Sequence, residues 1–256
     1  MADTATWIRA VRSSLDRFGG LLGPLTAAEV EGPSYNRDWS IADTASHLGS
    51  QAEIFGLLLD AGLSGAPAPG GEVFGRIWDR WNALAPTEQV RQSVEDNEAL
   101  VARFEQTTDE ERAAFALTAL GRQLDLTGLV GMRLAELALH TWDIAVALDR
   151  SATVSADAVD LLVDALPATA ARAGKAGAGA DAEPVAVVTT DPDRTFVLSV
   201  GDQVTLQPST SAGADPLELP AEALLRLVYG RLDPDHTPAG VDDPRLSSLR
   251  TVFPGL

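Results

Sequence analysis

The chain has 256 residues, 45% of them apolar and 22% charged, enough to bury one large core or two ordinary ones. A formal net charge of −18 argues against a nucleic-acid partner, since affinity for nucleic acid comes from neutralising phosphates, and an anionic membrane surface is disfavoured for the same reason. With no cysteine there can be no disulfide, no thiolate metal ligand and no cysteine nucleophile.

The first segment, MADTATWIRAVRSSLDRFGG, is amphipathic with charges throughout and lacks the uninterrupted apolar stretch of a signal peptide. No run approaches the ~20 apolar residues of a membrane span. A soluble cytoplasmic protein, monomeric or homodimeric, is the expectation. The spacing of Trp7, Val11, Leu15 and Phe18 predicts a helix from about Thr6 to Leu22, with Gly19 and Gly20 as an earlier stop. A Gly/Pro-containing connection follows. Ser40 can then cap a helix beginning at Ile41, Asp43 suits its positive end, and the pattern carries it to about Leu59.

GLSGAPAPGG, residues 62–71, reads as a break. A helical segment over Glu72–Leu84 is interrupted at Pro86, and Thr87-Glu88-Gln89 opens another reaching about Gln106. After a charged stretch and Gly121, a last helix is predicted over Leu126–Leu148. Four main helices, one of them broken or extended, make a bundle, and no strand-like alternation is visible in this half. Beyond it, Ser155–Ala171 reads as a helix and AGKAGAGADAEP as a flexible surface loop. Val185–Thr190, Thr195–Val200 and Val204–Gln207 read as short strands, and Pro220 precedes a helix, AEALLRLVYG, closed by Gly230. The expected architecture is a helical bundle over 1–152 followed by a small α+β domain on an antiparallel sheet over 153–256.

Only three histidines are present. His236 lies in the Pro/Gly/Asp loop LDPDHTPAG and is expected to be merely solvated. His140 lies in GMRLAELALHTWDIAVAL, apolar around most of its circumference, where an ionisable group must be paired, neutralised or metal-bound. Glu136 is one turn earlier: four residues advance about 400°, so the two side chains project within about 40° of each other and about 6 Å apart along the axis. A Glu–His hydrogen bond would explain the pair as well, unless a second helix supplies a further ligand. His47, at the edge of the arc formed by Ile41, Thr44, Leu48, Gln51, Ile54, Phe55 and Leu58, is positioned to do so. Two imidazoles and a carboxylate would leave coordination positions open, as at a catalytic rather than a structural ion. Zinc or another divalent metal is the expected occupant.

At these residues a resemblance becomes specific. Asp38-Trp39-Ser40-Ile41-Ala42-Asp43-Thr44-Ala45-Ser46-His47-Leu48 resembles the Trp-Ser/Thr-x-x-Asp-x-x-x-His-Leu signature of the mycothiol-dependent maleylpyruvate isomerase family. The segment Arg133-Leu134-Ala135-Glu136-Leu137-Ala138-Leu139-His140-Thr141-Trp142-Asp143-Ile144-Ala145 is similar to that family's second metal motif. Order, helical placement and the gap of roughly ninety residues agree. The resemblance covers nearly the whole chain, more loosely in the C-terminal part, where it rests on the strands followed by Leu224–Arg231.

It implies a DinB-like four-helix bundle holding zinc through His47, Glu136 and His140, and a sterol-carrier-like C-terminal α+β domain. It also implies mycothiol as thiol cosubstrate, held as a metal-bound thiolate that adds to the double bond of maleylpyruvate, allows rotation and is then eliminated. Arg231 is the candidate for the catalytic arginine that the family places in its C-terminal domain, with the capping of final helix carbonyls as its ordinary alternative. Arg76 and Arg80 share a helix face and are expected to be solvated rather than to line the cleft. Asp143 either orients a ligand or binds Arg133, and a structural role is favoured.

The function expected is that of a metal-dependent isomerase or thiol S-transferase acting on a small electrophile. The two differ only in the electrophile's fate. The alternatives are a non-catalytic, metal-dependent small-molecule binding or sequestration protein and a metal-free interaction bundle.

Overall fold

The computed structural model describes residues 2–36, 38–119, 121–175 and 183–255. The chain divides into two compact units, residues 1–158 and 159–256. Most of the predicted loop over 173–184 lies outside the described residues.

The first unit is helical. Helix α1 (Thr4–Leu22) starts where the Asp3 carboxylate accepts from the Thr6 backbone N–H at 2.8 Å, and it passes through Gly19 and Gly20 without stopping. A single turn, α2 (Ala27–Val30), is closed by a capping box between Thr26 and Glu29. Helix α3 (Ile41–Ser64) begins at the predicted residue and ends five residues beyond the predicted Leu59. Gly62 is not a breaker: the ring of Phe115 packs onto its backbone so closely that a Cβ there would lie 2.2 Å from ring carbons. The helix stops instead at Gly65.

Helices α4 (Gly71–Asn82) and α5 (Pro86–Gln106) match the predicted pair, with Pro86 in the first turn of α5, where its missing N–H has no helical partner to lose. The charged stretch that follows forms α6 (Asp109–Ala114), opened by a Thr108–Glu111 capping box, and then a small hairpin of β1 (Leu117–Ala119) and β2 (Arg122–Leu124). Neither was expected, because each is too short to show a period. Helix α7 (Leu126–Leu148) matches its predicted span. In the core of this unit, α3 packs chiefly on α5, α1 on α7, and α3 also on α4 and α7.

In the second half, the predicted helix over 155–171 is two: α8 (Ala156–Leu162), which spans the division between the units, and α9 (Leu166–Ala173), joined by a 3-10 turn. Pro167, in the first turn of α9, lacks the N–H that would continue a single helix. Strands β3 (Val185–Thr190), β4 (Arg194–Val200) and β5 (Val204–Pro208) pair antiparallel as expected. A fourth strand, β6 (Leu217–Pro220), was not foreseen and pairs parallel with β3, giving the order β5-β4-β3-β6 and a mixed sheet.

Helix α10 (Ala221–Val228) leaves β6 at Pro220, and α11 (Arg245–Val252) follows a loop. After α10 the chain turns at Gly230, whose φ of +72° suits glycine. The C-terminal residues run directly over it, so that a Cβ at Gly230 would lie 2.3 Å from the Gly255 nitrogen. Among the described residues no helix is long and apolar enough to cross a membrane.

Candidate metal centre

Helix α7 carries two of the expected ligands. Asp125 caps it by accepting from Gly128 N–H at 2.7 Å, and packing by α1 and α3 makes most of its surface interior. Glu136 and His140 are polar exceptions on that surface, one turn apart, with Oε2 and Nε2 separated by 3.7 Å. Helix α3 is fixed at its start by a reciprocal pair: the Ser40 hydroxyl accepts from Asp43 N–H at 3.0 Å, and the Asp43 carboxylate accepts from Ser40 N–H at 2.9 Å. About two turns on, Nε2 of His47 faces Oε2 of Glu136 at 3.2 Å.

The three ligand atoms all lie within 4.8 Å of one another. Two ligands each ~2.1 Å from one tetrahedral ion sit about 3.4 Å apart, so the 3.2 and 3.7 Å separations suit a shared divalent cation. Two imidazole nitrogens and one carboxylate oxygen are also the donor types that zinc accepts, and a fourth position would remain open.

Burial pulls the Glu136 carboxyl upward, but the hydrogen bond with His47 and the charges of His140, His47 and Arg133 outweigh it and bring it down to about 2. Its side chain keeps 38% of its surface exposed, so solvent screens part of this effect. The carboxyl group is an anion over the whole physiological range, as a ligand must be.

Asp143 is on the other side of His140. Its Oδ2 lies 2.8 Å from Nδ1 of that ring. A carboxylate only accepts, so the ring proton belongs on Nδ1, and the lone pair of Nε2 is left facing Glu136 and His47. Of the two partners open to Asp143 in the sequence, His140 and Arg133, the structure pairs it with His140. Arg133 is engaged elsewhere: its Nη2 donates to the Leu48 carbonyl at 3.0 Å and to Asn97. Burial pulls the Arg133 guanidinium down to about 10, opposed by the charge of Glu136.

Trp39 covers the histidine pair, its ring centroid 5.1 Å from that of His47 and 6.0 Å from that of His140. The two imidazoles meet edge to face at 4.6 Å. Beside His47 opens a cleft of about 510 Å³ lined by Trp39, Trp78, Asp38, Asp43, Ser50 and Asn82. It is large enough for a small molecule to approach His47.

Arg76 and Arg80 are exposed and paired, Arg76 with Glu72 at 2.5 Å and Arg80 with Glu53. Arg231 lies in the second unit, just after the turn at Gly230, with Nη1 donating to the Tyr229 carbonyl at 3.1 Å. His236 is not simply solvated as expected: its Nδ1 lies 2.8 and 3.0 Å from the two carboxylate oxygens of Asp233, and its carbonyl accepts from buried Arg226 at 2.8 Å.

The sequence over residues 11–145 matches the family described as "Mycothiol maleylpyruvate isomerase N-terminal domain". No curated protein matches the sequence. Among solved structures, a mycothiol-dependent maleylpyruvate isomerase superposes with a TM-score of 0.68 at 15% identity, covering 95% of each chain. A histidine-to-alanine variant of a mycothiol-dependent maleylpyruvate isomerase does so with the same TM-score at 14% identity, again over 95% of each chain. That likeness gives the fold of both units. The family match spans more than half of the 256 residues and takes in His47, Glu136 and His140: the chain belongs to the mycothiol maleylpyruvate isomerase family.

Proposed function

We propose that the protein is a metal-dependent enzyme that uses mycothiol as a thiolate on a small electrophile, as an isomerase of the maleylpyruvate type or as an S-transferase. The observation that carries this reading is the convergence of the His47, Glu136 and His140 ligand atoms beside a cleft open to small molecules. His47, Glu136 and His140 would hold one divalent ion, zinc being the best match to the donor types. Bound there, the ion would stabilise a deprotonated thiol at neutral pH, a task for which the chain offers no cysteine of its own.

The protein's own groups have separate tasks. Asp143 keeps the proton of His140 on Nδ1 and the coordinating nitrogen free. Trp39 packs against both imidazoles and lines the cleft beside His47. Arg231 is assigned to the carboxylate of the electrophile, for which a guanidinium fork is the natural partner. Isomerase and transferase share all of this. Addition followed by expulsion of the same thiol isomerises, whereas loss of a different leaving group conjugates. The cytoplasm, where low-molecular-weight thiols stay reduced, is the proposed compartment.

The experiment is turnover. Zinc-loaded protein is incubated with mycothiol and either maleylpyruvate or a panel of electrophiles carrying leaving groups. Catalytic trans product with thiol conserved identifies an isomerase, and catalytic thiol consumption a transferase. Stoichiometric binding without turnover would replace both with sequestration. Metal-free protein purified without chelator, unable to take up zinc, would reject the metal reading altogether.

A further inference from the structure

Arg133 has no task in the reaction scheme above, yet it is wholly buried, one turn before Glu136 on α7. Its Nη2 donates across to α3, to the backbone carbonyl of Leu48, the residue after His47. The same nitrogen reaches Oδ1 of Asn97 on α5. Asn97 is also buried, and its amide donates to that same Leu48 carbonyl at 3.2 Å and to the Ser93 carbonyl at 2.7 Å. Three helices are therefore tied at one peptide group, directly beside a ligand.

The neighbouring positions are held too. The Ser50 hydroxyl donates to the His47 carbonyl at 2.8 Å. Gly49 lies so close under the Trp81 ring that a Cβ there would come within 2.2 Å of it. Meanwhile Nε and Nη1 of Arg133 find no hydrogen-bond partner among the described residues, and the Phe55 ring, 5.6 Å from the guanidinium carbon, supplies only a weak attraction.

A buried guanidinium on neutral carbonyls is a poor choice for stability alone. An apolar side chain of similar volume commonly folds as well or better, because it avoids the cost of stripping water from a charge. What arginine supplies and methionine cannot is a directional, charge-assisted grip between helices at a defined height. The geometry points to Arg133 as a positioning residue: through the Leu48 carbonyl and Asn97 it sets the register of α3 against α7, so that Nε2 of His47 faces Glu136 before an ion arrives. The inference rests on the metal reading above. Ligands already in place lose little freedom on binding, so the effect is read in metal affinity and coordination geometry rather than in fold stability.

The test uses the full chain stripped of metal, with zinc affinity measured by competition and the absorption spectrum of added Co²⁺ reporting coordination. Arg133→Met is expected to unfold cooperatively at a midpoint equal to or above that of the metal-free wild type, yet to bind zinc about tenfold or more weakly and to give an altered cobalt spectrum. Arg133→Lys keeps the charge without the fixed, planar guanidinium geometry and is expected to fall between. Zinc affinity within about twofold of wild type together with an unchanged cobalt spectrum in Arg133→Met would overturn the assignment. If that variant does not fold, Arg133→Lys decides: affinity and spectrum equal to wild type overturn it, and several-fold weaker binding upholds it. A wild type that takes up neither ion would instead reject the metal reading itself, before any variant is compared.

Discussion

Oδ2 of Asp143 lies 2.8 Å from Nδ1 of His140, and Asp143 is fully buried on the same helix, three residues on. The pair makes a ring rotation or a tautomer change at His140 costly. Outer groups of this kind are typically worth about 10- to 100-fold in metal affinity. Asp143→Ala is expected to weaken zinc binding by that amount. Asp143→Asn is expected to lose less, since an amide oxygen can still accept from Nδ1. Calorimetric titration of both variants with zinc checks the order, and equal affinities across the wild type and both variants would refute it.

Replacing His140 or His47 with alanine should abolish zinc retention while leaving far-UV circular dichroism close to that of the wild type. The helices are held by apolar packing, with Leu48, Leu137 and Leu139, the sequence neighbours of His47, Glu136 and His140, all buried. Collapse of the helical signal in either variant would make that histidine an architectural residue first.

Glu136 sets an acid limb. Its carboxyl is held at about 2 in the fold, below its ordinary 4.5, by the hydrogen bond with His47 and the nearby positive charges, against the opposing effect of burial. A depressed carboxyl contributes stability that is fully present above the unfolded value and is lost as pH falls through the folded one. The metal-free wild type should therefore lose stability between pH 4.5 and about 2 more steeply than Glu136→Gln. Denaturant midpoints measured across that window, in the absence of metal, make the comparison. Parallel curves would count against it.

Gly49→Ala should destabilise the protein even though alanine is the better helix former. The added methyl group would sit 2.2 Å from the buried Trp81 ring, and relieving such an overlap costs about 1–3 kcal/mol. Urea unfolding measures this directly, and a neutral or stabilising result would show that Trp81 moves aside freely.

Arg231→Gln should lower kcat/KM for a carboxylate-bearing electrophile by about ten- to a hundredfold, the worth of a charge-assisted hydrogen bond. Zinc affinity should not change. A fall in zinc affinity instead would mean that the substitution acts on the metal ligands and not on the electrophile.

The convergence of His47, Glu136 and His140 was legible because helical geometry converts spacing into position. Glu136 and His140 are four apart on a strongly periodic helix, and the Ser40–Asp43 capping pair fixes the start of α3 and with it the phase of His47. The support around those ligands was much less legible. Nothing local to Asn97 says that it meets Leu48, which is 49 residues away, and only the packing of α3 on α5 brings them together. Gly62 was read as punctuation because a glycine near a Pro/Gly run usually is, whereas here it makes room for Phe115, distant in sequence. Strand β6 was missed for a related reason: its Leu-Glu-Leu-Pro alternation spans only four residues, too short a run to mark a strand until it pairs with β3. Arg133 was visible as a charge on an apolar helix, but its partners were not.

The passage of the C-terminal residues over Gly230 has a practical corollary. The tail and the turn leading to Arg231 lean on each other, with no room between them for even a methyl group. Anything that lifts the tail, such as a fusion partner or a purification tag joined after Leu256, would loosen the support beneath that arginine. A tag at the other end of the chain spares it, and kinetic comparisons of Arg231 variants should be built that way.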